Sequence, residues 1–441
     1  TIPDVTLYDD QGFVRMHIAP FLASEGSAQT TYQLSHDVEL RAGRNTFRGG
    51  VLYQQGLWPF TNTENFAGSF SFPAPPEPPI RSRPNGLRDL LLGLPGEYRL
   101  QTPRALNLRW RELAFYGEAE LQPVRTLRIT IGLRAESQPP AVDTLDRIGA
   151  FREGEESERF PNALLGLIFP GDSDGERGPL PRATVDNPGV NIGPRIGIAY
   201  SSGSDKRIAR WLLGESGRSV IRASNGLFYD FGAFAGSSAA ALFQANYPPF
   251  SADNRFDFSR STDAFRQPFA AIPGSDPAAF VPTVVRYPVL VFDRDFQNTR
   301  AHQWNLGFQR VLPNGVFLSA VYVGSRSLRL QRQRELNEFI RNPLRGCAFV
   351  RSMRRFSRYT DIRQFESTGS GRYNGLQLRA NRYLRRGLAF DVSYSWSRSD
   401  DNSSQLLGGE LITEPWTVSN FDRRQNLTAS WTWETRIPRS W

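Results

Sequence analysis

Few residues of this chain have the types and spacing that catalysis or metal binding requires. Zinc sites need closely spaced ligands, but the one cysteine and three histidines lie far apart, at Cys347, His17, His36 and His302. The single lysine, Lys206, has no glycine-rich phosphate loop around it, and no Gly-x-Ser-x-Gly turn is present. We therefore expect no covalent catalysis, no enzyme activity and no cofactor.

One short motif resembles the start of a calcium loop. "GDSDG" (171–175) places Asp172 and Asp174 two residues apart, as the first ligands of such a loop are. The later ligand positions do not follow. The motif therefore favours a solvated turn over a metal site.

Two segments carry strong and opposite charge. Residues 325–373 contain 12 arginines and four acidic residues, and residues 136–193 contain 11 acidic residues and five arginines. One interpretation is a polarised mouth, in which the basic segment binds an anionic substrate or lipopolysaccharide phosphate. The other is that the two segments neutralise each other within a Debye length of about 8 Å. The candidate basic loop consists of Arg351, Arg354, Arg355 and Arg358.

Aromatic side chains are interleaved with those arginines, at Phe349, Phe356, Tyr359 and Phe365. Such rings stack on sugars or peptides, and also on nucleic-acid bases. Packing within the loop is the favoured alternative. A basic balance, +9 for the chain, says little by itself about nucleic acid, and we expect no nucleic-acid partner.

The elements that position these residues are strands. In "GLAFDVSYSWSRSD" (387–400), apolar and polar residues alternate without interruption from Leu388 to Ser397, which indicates a strand with different environments on its two faces. Similar alternation predicts 11 strands in all. They lie near 32–54, 112–135, 194–229, 303–324, 374–397 and 426–433.

Tight turns alternate with long segments between these strands. The tight turns are "RAGRN" (41–45), "QPVR" (122–125), "VLPNG" (311–315) and "LRRG" (384–387), and the long segments are 55–111, 136–193, 230–302, 325–373 and 398–425. Five structureless loops of this length are uncommon in a compact soluble domain and are typical of outer-membrane barrels. The segment 201–218 is an exception, because it is long where a tight turn is expected. The pattern predicts an all-β fold, an antiparallel transmembrane β-barrel with long extracellular loops.

The alternation also divides the side chains between lipid and lumen. An arginine facing lipid at mid-bilayer costs about 2–4 kcal/mol, so the polar rows should face the lumen. There they hold a plug or contact substrate, with plug contact favoured. These candidates are Arg128, Arg134, Asn305, Gln309, Gln377, Arg379 and Asp391.

Other residues are expected at the membrane surface. Trp396, Trp431 and Trp433 are predicted to face outward in an aromatic girdle. "KRIARWLLG" (206–214) fits either a short amphipathic helix on the membrane or an ordinary longer turn.

Several ordered motifs resemble the Oar-like TonB-dependent outer-membrane receptors. The segment "YNGLQLRANRYLRRGLAFDVSYSWSRSDDNSS" (373–404) is similar to a late barrel hairpin of that family, and "LAFYGEAELQPVRTLRITIGLRAE" (113–136) to its first clear hairpin. "GPRIGIAYS" (193–201), "WNLGFQRVLPNGVFLSAVYVGSRSLRL" (304–330) and "NFDRRQNLTASW" (420–431) follow in the family's order. The resemblance implies the bacterial outer membrane, a 22-stranded plugged barrel, and TonB-coupled import of a scarce, bulky nutrient.

The chain departs from that family in two ways. The plug and the segment that contacts the TonB energy-transducing complex are absent, and 11 strands are half of 22. Residues 1–441 are therefore interpreted as an incomplete barrel region, with outer-membrane lipid, lipopolysaccharide and TonB, through a plug outside this chain, as expected partners.

Other functions stay open at this point. They are a surface-adhesion or secretion-associated barrel without transport, and a soluble carbohydrate-binding β protein. Siderophore, oligosaccharide, peptide and protein ligands are not distinguished by the sequence.

Overall fold

The computed structural model describes most of the chain. The described residues are 4–8, 14–18, 25–27, 29–62, 68–72, 86–93, 96–101, 104–202, 214, 217–230, 253–257, 287–338, 354–385, 387–403 and 416–434. Almost all regular structure among them is β-strand. No helix in these ranges is long and apolar enough to cross a membrane.

Eleven long strands form the body of the described part of the chain. In chain order they are β1 (Thr30–Ala42), β2 (Asn45–Asn62), β3 (Arg104–Val124), β4 (Leu127–Ser137), β5 (Val190–Ser201), β6 (Ser219–Asp230), β7 (Thr299–Val311), β8 (Val316–Glu335), β9 (Tyr359–Arg385), β10 (Leu388–Asp401) and β11 (Gln425–Trp433). Each pairs antiparallel with the next, from β1 to β11. The predicted fold class and the predicted number of long strands are confirmed.

Several strands extend well beyond their alternating sequence. β8 has 20 residues and β9 has 27, so parts of the segment 325–373 that were predicted as loop are strand. The first part of β9 pairs in parallel with the short strand Tyr287–Phe292, and Ile362 and Phe365 there are buried by other loops. Because both faces are covered, the sequence loses its period of two, which is why alternation underestimated the strand.

Tight turns join the strands at one end of the sheet, called here the turn end. Gly43 (φ 63°) and Gly387 (φ 81°) adopt the left-handed backbone that these short connections need, and Asn314 (φ 69°) does so between β7 and β8. All four predicted tight turns join consecutive strands. The longer connection after β5 is closed at its base by the hydrogen bond from Gly217 N to Ser202 O (2.7 Å), and 206–214 lies outside the described residues except for Gly214.

The described parts of the long connections lie at the opposite end, called here the loop end. The short strand Glu25–Ser27 lies near the chain start and pairs with β2. Other short elements belong to the long connections: the strands Val142–Asp143, Ala150–Phe151, Leu167–Ile168, Tyr287–Phe292 and Thr417–Val418 and the 3-10 turn Gly175–Arg177. A second 3-10 turn, Pro313–Gly315, lies at the turn end. A separate five-stranded sheet contains Asp4–Tyr8, Val14–Ile18, Ser69–Phe72, Glu97–Gln101 and Asp253–Asp257 beside the helix Gly86–Leu91.

Cross-strand register gives the large sheet an apolar face and a polar face. Leu40, Phe47, Ala119, Ile131 and Ile196 are successive cross-strand partners on the apolar face. The adjacent line on the polar face runs through Glu39, Arg48, Glu118, Gly132 and Arg195. Leu40, Ile131 and Ile196 are about half exposed, so the apolar face is not covered by described protein residues. Many of the described buried apolar clusters instead lie among the loops.

Candidate functional site

The seven predicted lumen residues share the polar face of the sheet. One line of cross-strand partners runs from Arg128 through Ala199, Arg222, Gly307 and Val321 to Gln377. The same face carries Arg134, Asn305, Gln309 and Arg379, because each lies an even number of residues from a member of this line on the same strand. Asp391 also lies on this face, because it pairs with Asn381, four residues from Gln377. Directly opposite residues point to the same side of a sheet, so strands far apart in sequence bring these side chains onto one surface.

Charged side chains on β1 to β4 form a continuous ladder across this face. We call it the charged ladder: Glu39, Arg48, Glu118, Glu120 and Arg128. Arg48 binds Glu39 (2.9 Å), Glu118 (3.1 Å) and Glu120 (3.7 Å), and Arg128 binds Glu120 (3.1 Å). These pairs are partly exposed, so each adds little to stability.

A more buried ion cluster lies toward the loop end of the same face. Arg134 binds Glu112 (2.9 Å) and Glu136 (2.6 Å), and the side chains of these two acids are only 10% and 8% exposed. Arg195 lies over the ring of Phe228, 4.5 Å from its centroid. Arg134 therefore compensates two carboxylates that have little access to water.

We expect Arg134→Gln to destabilise the protein by about 2–4 kcal/mol, because it leaves two buried carboxylates without a cation. Urea unfolding in detergent micelles, followed by tryptophan fluorescence, measures this. The matched control is Arg128→Gln, since Arg128 is about half exposed and its pair is screened by solvent. Equal midpoints for the two variants would contradict the role of burial.

The other half of the polar face, on β7 to β11, is lined largely by hydroxyl and amide groups. Asn305 donates from Nδ2 to Ser224 Oγ (2.5 Å), and Arg379 pairs with Asp391 (Nε to Oδ1, 3.0 Å). Gln309 and Gln377 make no side-chain hydrogen bond with any described residue. Of the seven candidates, these two amides are the ones whose side chains bond to no described residue.

Sequence reasoning did not single out most of the charged ladder. Glu39, Arg48, Glu118 and Glu120 lie in segments whose alternation is weaker, since small residues such as Gly49 and Gly117 interrupt the apolar rows. The sequence pattern that could have identified them is the alternation of Glu118 and Glu120 with the apolar residues Ala119 and Leu121.

The loops form one packed structure, called here the loop cap: residues 142–186, 287–298 and 354–366. Phe151 packs edge-on against Phe356 and Tyr359, at 5.1 and 5.6 Å between ring centroids, and Tyr359 Oη donates to Leu165 O (2.7 Å). Burial raises the pKa of Tyr359 well above its usual range. The described aromatic residues among the arginines, Phe356, Tyr359 and Phe365, therefore pack as one interpretation held, but they pack between loops. Phe349 lies outside the described residues.

Asp172 and Asp174 are buried in the loop cap, so the predicted solvated turn is wrong. Asp172 accepts hydrogen bonds from Ser157 Oγ (2.6 Å) and from the backbone amides of Arg159 (2.9 Å) and Phe169 (2.7 Å). Asp174 pairs with Arg152 (2.5 Å) and Arg294 (2.9 Å). Both carboxylates are used to join chain segments, which a single sequence motif cannot reveal because Arg294 is 120 residues away.

Ion pairs within each of the two oppositely charged segments balance only part of their charge. In the acidic segment, Asp143 pairs with Arg147, and Asp146 with Arg159 and Arg182. An ion pair between Arg355 and Glu153 joins the two segments.

The candidate basic loop is not a uniform cationic surface. Arg354 is held by Asp361 (2.9 Å) and by Asn337 O (2.9 Å). Arg358 is exposed and makes no ion pair with a described residue, and Arg351 lies outside the described residues. The two described arginines with partners, Arg354 and Arg355, support the loop structure.

The three girdle tryptophans lie on the apolar face, at two levels. Trp396 pairs with Gln425 toward the loop end, whereas Trp433 pairs with Leu388 beside a tight turn and Trp431 pairs with Phe390. The eight residue steps from Leu388 to Trp396 span about 27 Å along the strand, which is comparable with the apolar band of about 25 Å in membrane barrels. A girdle at both membrane surfaces stays a prediction.

The architecture defines the class of this protein. The family model described as "Outer membrane beta barrel domain" matches residues 11–440, and the chain belongs to that family. It is an antiparallel β-barrel protein of the bacterial outer membrane.

Two solved structures of outer-membrane proteins are similar to this chain. The outer membrane transporter YddB from Escherichia coli is 11% identical over 92% of this chain and 40% of its own, with a TM-score of 0.50. The ferripyoverdine receptor of Pseudomonas aeruginosa is 9% identical over 94% of this chain and 37% of its own, with a TM-score of 0.41. The chain thus spans about 40% of the length of the YddB structure. No curated protein sequence matches it.

Proposed function

We propose that these residues form part of an Oar-like outer-membrane receptor that imports a bulky, scarce nutrient with energy supplied through TonB. The plug that gates the barrel and contacts TonB belongs to polypeptide outside these eleven strands. In this proposal residues 1–441 are one region of a larger barrel, whose loops receive the nutrient and whose polar face lines the path inward.

The observation that carries the proposal is the direction of the two edge strands. Neither β1 nor β11 has a partner on its outer side among the described residues. Both run from the loop end to the turn end, because strands alternate in direction and both have odd numbers. If β1 paired directly with β11, the two strands would be parallel. The same parallel pair would form in a ring of identical copies, where β11 of one copy would lie beside β1 of the next.

An antiparallel barrel therefore needs an odd number of further strands. Bacterial barrels of one chain have even numbers of antiparallel strands, and exposed backbone groups at an open edge are not tolerated in lipid. Barrels wider than the porins, with about 22 strands, are plugged transporters. The eleven strands fit such a barrel and do not fit a small closed one.

Two further observations support transport. The YddB structure, to which the fold is similar, is described as an outer membrane transporter. Gln309 and Gln377 on the polar face have hydrogen-bonding groups free to contact a plug or a substrate, whereas Arg128, Arg134, Arg379 and Asp391 are paired with neighbouring strands. We assign plug contact to the paired charges and substrate or plug contact to the two amides.

The first test is the intact mass of the native polypeptide recovered from outer membranes. We expect a mass far above the 49.7 kDa of this sequence, because further strands and a plug are required. A mass near 49.7 kDa would leave no plug, and gated transport by a single chain would be wrong.

The second test separates transport from surface adhesion. Uptake of labelled siderophores, oligosaccharides and peptides is compared among the wild type, a strain without this protein and a strain without TonB. We expect one class of solute to be lost in both mutants. Loss of surface attachment without any change in uptake would favour the adhesion or secretion-associated function.

A further inference from the structure

A row of basic residues crosses the apolar face near its loop end. His302, Arg326, Arg372 and Asp400 are successive cross-strand partners on β7, β8, β9 and β10. Arg300 lies two residues from His302 toward the loop end, and Arg398 two residues from Asp400 toward the turn end. We call Arg300, Arg326, Arg372 and Arg398 the basic row.

The described residues balance only part of the positive charge in this row. Arg326 and Arg372 stand directly opposite each other, an arrangement that destabilises a sheet when both charges have the same sign. Asp400 is shared by Arg372 (3.2 Å) and Arg398 (2.8 Å), and its side chain is 2% exposed. Arg326 is exposed and makes no ion pair with any described residue.

The row stands out because the apolar face has so little negative charge. From the tight turns up to the bulge at Leu328, Asp400 is the one acidic residue on that face of the eleven described strands. The polar face, in contrast, mixes acids and arginines in pairs such as Arg128 with Glu120. Excess positive charge beside an apolar surface is complementary to an anionic lipid headgroup.

The neighbouring surface is suited to acyl chains. Four residues further toward the turn end, an apolar line crosses the same four strands through Leu306, Tyr322, Leu376 and Trp396. A hollow of about 1100 Å³ is lined by Arg300, His302 and Arg326, by apolar residues such as Ile196 and Leu227, and also by the charged residues Arg48, Glu118 and Arg195. Basic groups and an apolar wall thus meet at one site.

We propose that the basic row binds the phosphate groups of lipopolysaccharide in the outer leaflet. Strands β8 and β9 are about 4.8 Å apart, so the guanidinium groups of Arg326 and Arg372 can hold one phosphate between them. Arginine forms such paired hydrogen bonds to phosphate because its donors are fixed in a plane. The phosphate supplies the negative charge that the row lacks, and the acyl chains cover the apolar line below.

This proposal rests on the outer-membrane orientation in the proposed function, with the loop end outside, and does not depend on transport. The test uses the native protein extracted from outer membranes in mild detergent. Native mass spectrometry counts the lipopolysaccharide molecules that remain bound. We expect the double variant Arg326→Gln/Arg372→Gln to retain at least fivefold less than the wild type.

The control is Arg222→Gln/Arg128→Gln, which removes the same charge from the polar face and is expected to retain wild-type amounts. Heat-modifiable gel migration checks that both variants are folded. Equal retention by the two double variants would overturn the proposal.

A second measurement stays informative if the double variant does not assemble. Delipidated wild-type protein is titrated with diphosphorylated lipid A, with lipid A lacking phosphate, and with inorganic phosphate, and its unfolding temperature is followed. We expect stabilisation by the phosphorylated lipid alone. Equal stabilisation by the dephosphorylated lipid, or by inorganic phosphate, would overturn it. Nutrient uptake measured in parallel distinguishes a failure of this site from a failure of the transport proposal.

Discussion

Asp174→Ala is expected to open the loop cap. Asp174 joins Arg152 and Arg294, and the side chains of Asp174 and Arg294 are 6% and 8% exposed. Removing one partner of a buried ion pair leaves charge uncompensated and costs about 3 kcal/mol or more. Because each 1.4 kcal/mol is a factor of about ten, amide hydrogen exchange in 142–186 and 287–298 should become about a hundredfold faster.

The matched control for this variant is Asp295→Ala. Asp295 also pairs with an arginine, Arg177 (2.6 Å), but the two side chains are 68% and 42% exposed. Exposed pairs contribute about 1 kcal/mol or less, so exchange should change little. Exchange in β3 and β4 should be the same in both variants. If Asp295→Ala accelerated exchange as much as Asp174→Ala, the buried pair would not be what holds the cap.

The same carboxylates predict how the loop cap depends on pH. Burial by itself would raise the pKa of Asp174, but hydrogen bonds from Arg152 and Arg294 outweigh it and hold the pKa below the usual 3.8. The pKa of Asp143 is also lowered, because hydrogen bonds from Arg147 and from the backbone amide of Asn107 outweigh the effect of burial. A depressed carboxyl pKa stabilises the fold above the usual pKa, and that stability is lost as pH falls through the folded value. Protection should therefore be constant from pH 5 to 7 and fall below about pH 4.

Ile131→Arg is expected to prevent efficient insertion of the barrel. Ile131 lies in the middle of β4 on the apolar face, and the residue is 50% exposed. An arginine that faces lipid at this depth costs about 2–4 kcal/mol. The fraction of protein that assembles in outer membranes, measured by heat-modifiable gel migration, should fall severalfold.

Thr130→Arg provides the control one residue away. Thr130 lies on the polar face, opposite Glu120 on β3, so the new guanidinium meets a carboxylate and water. Assembly of this variant should match the wild type. Poor assembly of Thr130→Arg with normal assembly of Ile131→Arg would mean that the polar face, and not the apolar face, contacts lipid.

The sequence by itself determined the existence of the eleven long strands and which face of each is apolar. Alternation is a local property, since side chains two apart on a strand share a face, and Leu388 to Ser397 shows it without any partner strand. The tight turns were also predictable, because residues such as Gly43 and Gly387 are needed where the backbone is left-handed. The outer-membrane class followed from the alternation of short turns with long loops.

Only the tertiary structure decided which residues meet across long separations. Arg294 reaches Asp174 over 120 residues, and Arg355 reaches Glu153 over 202. Arg326 and Arg372, taken from the sequence as parts of a charged loop, lie in strands on the apolar face because β8 and β9 extend further than their alternation. Register sets these neighbours, and it depends on hydrogen bonds between strands that no short stretch of sequence contains.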